Sequence, residues 1–233
     1  MPITFYKYPV REQWLKLLER PALETSSLEA SVSNILMEVK ENGDEALRRF
    51  SSMFDKLNIS KLQVTAAEID EAIVNVDSSL KQAIQQAKDN IEKFHEGQLK
   101  TEEAVETMPG VKCWRKSVAI EKVGLYIPGG SAPLFSTILM LAVPARIAGC
   151  KQIILCSPPN KEGVLHPAIL YAAKLVGVTQ IFKAGGAQAI GAMAYGTATI
   201  PKVYKIFGPG NQYVTCAKQL VQKDGIAIDM PAG

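Results

Sequence analysis

Three small-residue turns hold the chemistry available to this chain: Pro128-Gly129-Gly130-Ser131, Ala184-Gly185-Gly186-Ala187-Gln188 and Gly208-Pro209-Gly210-Asn211. Each follows a short β-rich run and precedes a helical pattern. Glycine lets a ligand approach the main chain, and the helix that follows points free N–H groups at it. The helix dipole then favours negative charge, such as a pyrophosphate. One such turn says little, because tight turns use glycine for their own geometry. Three at equivalent ends of one sheet point to a nucleotide-sized ligand. Tyr126, Gln188 and Asn211 are the polar side chains best placed there. Tyr126 can present a hydroxyl or stack its ring, and Gln188 and Asn211 can hydrogen-bond an amide, ribose or phosphate. Their structural alternatives are a strand aromatic in the core and two helix caps.

The usual dinucleotide fingerprint is missing. No GxGxxG follows a strand, and the second strand ends in Ser157-Pro158-Pro159 instead of an acid for a ribose. Acid–base and metal chemistry are poorly supplied. The two histidines, His95 and His166, form no ligand pair, and no cysteine has a nearby histidine to activate it. His95 reads as a helix residue and His166 as a cap before Pro167. No catalytic residue and no metal ligand is assigned.

The elements that must position these turns read as five strands near 123–127, 152–156, 179–183, 203–207 and 226–229. They alternate with helices near 134–148, 164–176, 187–196 and 211–223, the pattern of a parallel sheet with right-handed crossovers. Pro144 should kink or split the first of these helices. Ahead of them, residues 1–25 form an arm whose short amphipathic helix carries Trp14, Leu15, Leu17 and Leu18 and stops at Pro21. Too small to bury its own apolar face, it should pack on the chain or on a partner.

Residues 26–121 are helix-rich. One helix carries Val32, Ile35, Leu36 and Val39 to a C-cap at Gly43, and Asp44 recaps a second with Ala46, Leu47, Phe50 and Phe54. Leu62 to Thr65 is a short strand, and Thr65 and Glu68 have capping-box spacing. Ser78 or Ser79 caps a long helix with Ala83, Ile84, Ala87, Ile91 and Phe94 inward. A hairpin over 105–120 turns at Pro109-Gly110, and Trp114 caps apolar surface. The boundary between units falls at 121/122.

At 233 residues, 47% hydrophobic and 21% charged, the chain is an ordinary globular one. A net charge of +3 with no basic cluster argues against nucleic acid. No apolar run is long enough for a membrane span. Cys113, Cys150, Cys156 and Cys216 lack CxxC spacing and read as buried free thiols in a reducing compartment, and the expected location is cytoplasmic.

VGLYIPGGSAPLFSTILMLAVPARIAGC, GGAQAIGAMAYGT, KIFGPGNQYVTCAKQLV and the terminal IDMPAG resemble histidinol dehydrogenase. The resemblance implies a Rossmann-like parallel sheet with flanking helices, related to aldehyde dehydrogenases, over 122–233. An incomplete, helix-rich α/β domain over 26–121 would precede it. It implies the NAD-dependent four-electron oxidation of L-histidinol to L-histidine in histidine biosynthesis, with zinc holding the substrate, in a homodimer. The family's NAD contacts fall on Tyr126, Gln188 and Asn211. The zinc ligands and the catalytic Glu-His pair have no matching position in these 233 residues. The chain is therefore expected to be the NAD-binding N-terminal portion, inactive alone, with exposed apolar surface on residues 26–121. The competing reading is a non-catalytic nucleotide-binding or dimerisation module.

Overall fold

The computed structural model describes residues 4–19, 26–99, 103–129 and 132–230. Pro21, the Gly130-Ser131 half of the first turn and the last three residues of IDMPAG lie outside them. The elements are α1 (Arg11–Leu17), α2 (Ser26–Phe50), α3 (Ala66–Val74), α4 (Ser78–Glu96), β1 (Val105–Met108), β2 (Val111–Cys113), β3 (Lys122–Tyr126), α5 (Phe135–Ile147), β4 (Gln152–Ser157), α6 (Pro167–Leu175), β5 (Gln180–Lys183), α7 (Gly186–Tyr195), β6 (Lys205–Phe207), α8 (Gln212–Lys223) and β7 (Ala227–Ile228). A π turn, Ser51–Asp55, extends α2.

Five parallel strands form one sheet in the order β5-β4-β3-β6-β7. Renumbered within the sheet this is 3-2-1-4-5, the doubly wound order, with its reversal point between β3 and β6. The register aligns Tyr126 with Cys156 and Leu125 with Phe207. Alternation along the strands divides the core in two. Val123, Leu125, Ile127, Ile153, Leu155 and Ile181 face α5 and α6. Tyr126, Ile154, Cys156, Phe182 and Ile206 face the α7 and α8 side. The expected α/β class, a parallel sheet flanked by helices, is the observed one.

The helices of the first half complete these layers. α2 packs on α7 and α8, while α3 packs on α6 and α4 on α5. Both cores draw on residues from each side of 121/122. α7 lies between the sheet and α2, so every residue from Ala187 to Ala194 is buried. Gly191 allows this approach: a Cβ there would lie 3.0 Å from Leu36 Cδ2. On the other side, a Cβ at Gly124 would lie 2.6 Å from Met193 Sδ, so a glycine in β3 lets α7 settle on the sheet. The short strand expected at 62–65 is present only as a single antiparallel bridge from Gln63 to Phe182 of β5. The Val64 N–H donates to Ile181 O and the Lys183 N–H to Leu62 O.

Several local expectations hold and several change. The Thr65–Glu68 capping box is formed in both directions. Gly43 breaks α2 with φ of 51°, but Asp44 turns its carboxylate to the Thr199 hydroxyl and N–H instead of recapping its own helix. Asp77, one residue before the expected serines, caps α4 through the N–H groups of Ser79 and Leu80. The inward stripe of α4 is Leu80, Ile84, Ala87 and Ile91, whereas Phe94 is 65% exposed and Ala83 is exposed too. α5 runs on through Pro144 and is not split. The hairpin is shorter than 105–120 and every residue in its strands is exposed. Trp114, 65% exposed, and Cys113 are exposed as well, so the expected capping role of Trp114 is not seen among the described residues and only Cys156 and Cys216 are buried thiols. No residue of α1 is buried.

Candidate nucleotide-binding site

At the reversal point the carboxyl ends of β3 and β6 come together. A Cβ at Gly208, where φ is 127°, would lie 2.0 Å from the carbonyl oxygen of Tyr126, so only glycine lets the two strand ends approach this closely. The Gly208 loop is also clamped from behind. Buried Lys218 donates to Gly208 O at 2.9 Å and pairs with Asp229, whose other oxygen accepts the Gly208 N–H at 2.9 Å. Nothing in the spacing of Lys218 and Asp229 announces this clamp, because it depends on β7 lying beside β6.

Tyr126, Gln188 and Asn211 line one pocket of about 660 Å³ at this edge, within the size range of small-molecule sites. Tyr126 is buried, and its hydroxyl oxygen accepts the Gly186 N–H at 3.0 Å, taking up a free donor at the start of α7. Burial pushes its pKa up to about 12, against the opposing Gly186 N–H and with the nearby Asp55 carboxylate adding to it. The hydroxyl therefore keeps its hydrogen at neutral pH, as a donor. Gln188 is 4% exposed, and its amide engages no hydrogen bond among the described residues. No buried side-chain nitrogen or oxygen among the described residues lacks a partner, so this amide opens on the pocket, where a ligand can engage it. Asn211 caps α8: Oδ1 accepts the N–H groups of Tyr213 and Val214, each at 3.1 Å, which leaves Nδ2 free to donate. The core and capping alternatives for Tyr126 and Asn211 are thus realised without consuming their outward-facing groups.

The glycines serve a purpose the sequence did not suggest. Cβ atoms at Gly129 and Gly185 would both run into Pro158, at 2.6 and 2.5 Å, and one at Gly210 would meet Val214. These glycines allow the turns to pack on one another, and the pocket is the space left over. Sequence reasoning missed Phe54 and Asp55, which reach the same pocket from the π turn after α2, and Tyr213 from α8. Phe54 stacks on Phe50 with ring centroids 5.5 Å apart. No local pattern places a residue from position 55 beside one from position 126.

No group of three or more His, Cys, Asp or Glu side chains that could hold a metal ion occurs among the described residues. These residues do not fit a zinc site. His166 caps α6 through Nδ1, and His95 meets the Gln98 side chain at 2.9 Å. No described helix is long and apolar enough to cross a membrane.

The family model for histidinol dehydrogenase matches residues 18–233. The chain belongs to the histidinol dehydrogenase family. It is 62% identical to the histidinol dehydrogenase of Bacteroides fragilis over 227 residues, which cover 97% of this chain and 53% of that one. It is 55% identical to the enzyme of Escherichia coli O6:H1, over 95% of this chain and 51% of the relative. The crystal structure of histidinol dehydrogenase from Elizabethkingia anophelis superposes with a TM-score of 0.93 at 52% identity, covering 97% of this chain and 52% of that one. The chain therefore spans about half the length of the histidinol dehydrogenases it matches.

Proposed function

We propose that this chain supplies the NAD-binding part of a histidinol dehydrogenase, which oxidises L-histidinol to L-histidine in histidine biosynthesis by transferring two hydrides in succession to NAD. The observation that carries this reading is the gathering of Tyr126, Gln188 and Asn211 in one pocket at the reversal point of a doubly wound sheet. Membership in an NAD-dependent, zinc-containing family supports it. NAD, when bound, supplies the hydride acceptor. The chain's own residues then orient it: the Gln188 amide and Asn211 Nδ2 hydrogen-bond its polar groups, and the Tyr126 hydroxyl donates. The starts of α7 and α8 offer positive dipole ends to its phosphates. Histidinol as substrate, a homodimeric assembly and a cytoplasmic location belong to the same proposal.

Calorimetric titration with NAD+ tests it. Saturable binding is expected, weakened about tenfold by Gln188→Ala, the worth of one good buried hydrogen bond. Asn211→Asp keeps the capping oxygen and removes the amide donor, so it should weaken binding with α8 intact. No saturable binding, or binding indifferent to both changes, refutes the reading. Because the described residues contain no metal-binding group, these 233 residues alone are expected to make no NADH from L-histidinol. Zinc-dependent NADH production would overturn that expectation.

A further inference from the structure

The sheet has the doubly wound order, yet the acid that such sheets carry at the end of their second strand, to hold a ribose 2′-hydroxyl, is absent. β4 ends at Ser157, and Pro158 fills the position against Gly129 and Gly185. A carboxylate enters the same pocket from elsewhere. Asp55 closes the π turn after α2 and lines the pocket together with Pro158, Pro159 and Tyr126.

Its placement is firmly supported. α2 is docked on α7 and α8, Phe50 is buried in the core beneath the turn, and Lys56, with φ of 58°, ends the turn while the Leu57 N–H returns to Ser51 O at 3.2 Å. The Asp55 carboxylate has no hydrogen bond or ion pair among the described residues. The described wall of the pocket contains no lysine, arginine or histidine. An acid without a protein partner in a pocket without a cation accepts hydroxyl donors and repels a further phosphate. Asp55 is exposed to solvent at the pocket wall, and the part of its hydration that it loses raises its carboxyl pKa.

We propose that Asp55 accepts the adenosine ribose hydroxyls of the dinucleotide and selects NAD over its 2′-phosphorylated form, replacing the acid missing from the end of β4. The inference rests on the NAD reading of this pocket.

The test is calorimetric titration of NAD+ and NADP+ into the protein and its Asp55→Asn, Asp55→Glu and Asp55→Arg variants, with thermal melts run alongside. The protein should prefer NAD+. Asp55→Asn should weaken NAD+ about tenfold, the loss expected for a hydrogen bond to a charged acceptor, and leave NADP+ little changed, so the preference collapses. Asp55→Arg should reverse the preference, and Asp55→Glu should retain it. A general loss of structure would weaken both ligands together and lower the melting temperature. If the protein binds NAD+ and every variant keeps the same NAD+/NADP+ ratio, the Asp55 assignment is wrong while the NAD reading stands. If the unaltered protein binds neither dinucleotide, both are wrong.

Discussion

The β1–β2 hairpin and the β3–β4 pair draw on similar apolar residues and reach opposite ends. Val105, Met108 and Val111 lie at 62%, 61% and 43% exposure, whereas Val123, Leu125 and Ile154 are at most 1% exposed. The difference lies in what stands on either face. β3 has strands on both sides and a helical layer above and below, while the hairpin is a two-stranded ribbon with no large interface to any other described element. Such a ribbon contributes little stability of its own. Apolar content alone therefore does not say what a segment covers, and the candidate site lies wholly on the layered body.

The comparison can be pressed first where the body is tightest. Gly208→Ala puts a methyl group against the Tyr126 carbonyl at an unfavourable φ, and a loss of about 4 kcal/mol or more is expected by urea denaturation. A change under about 1 kcal/mol would mean that the β3–β6 junction can open.

Leu125→Ala, in the fully buried centre of β3, should cost about 2–5 kcal/mol, depending on how far α5 and α6 relax into the space. A loss no larger than that of a hairpin substitution would remove the contrast drawn here.

Asp44 joins α2 to the loop before β6, through Thr199, and Asp44→Asn should cost about 1–3 kcal/mol at neutral pH. Burial by itself would raise the Asp44 pKa, but hydrogen bonds from Thr197 and Thr199 and the charge of Arg48 outweigh it and hold the carboxyl below its usual value. A folded-state pKa below the unfolded one means that this stability is fully present above the unfolded value, about 3.9, and disappears as pH falls through the folded one. Melts of the two proteins should therefore converge in acid. A difference that persists or grows there contradicts the assignment.

Trp114→Ser, just beyond the hairpin, should fall within about 0.5 kcal/mol of no effect. A larger loss would show that this surface is covered in solution, which a concentration-dependent melt would detect.

Much of the body is legible locally. The alternation of Val123, Leu125 and Ile127, the small-residue run of α7 and the Thr65–Glu68 box all act within a turn or two of chain, so periodicity and spacing reveal them. The same holds for the turns that end β5 and β6. The misreadings fall where a side chain has two available partners. Asp44 could cap its own helix or bind Thr199, and the tertiary contact prevailed. Trp114 and Phe94 are as apolar as any core residue, but no layer of the described residues covers them.

The sequence by itself determined the order of strands and helices, the three corners and the polar residues at them, because those depend on short-range sterics and hydrogen bonds. Only the tertiary structure decided that α2 would cover α7 and α8, that Pro158 would fill the space beside Gly129 and Gly185, and that Asp55 would stand in a pocket with Tyr126. Those contacts join segments dozens of residues apart, and they form because helices from the first half bury their apolar stripes on the helices that flank the sheet of the second.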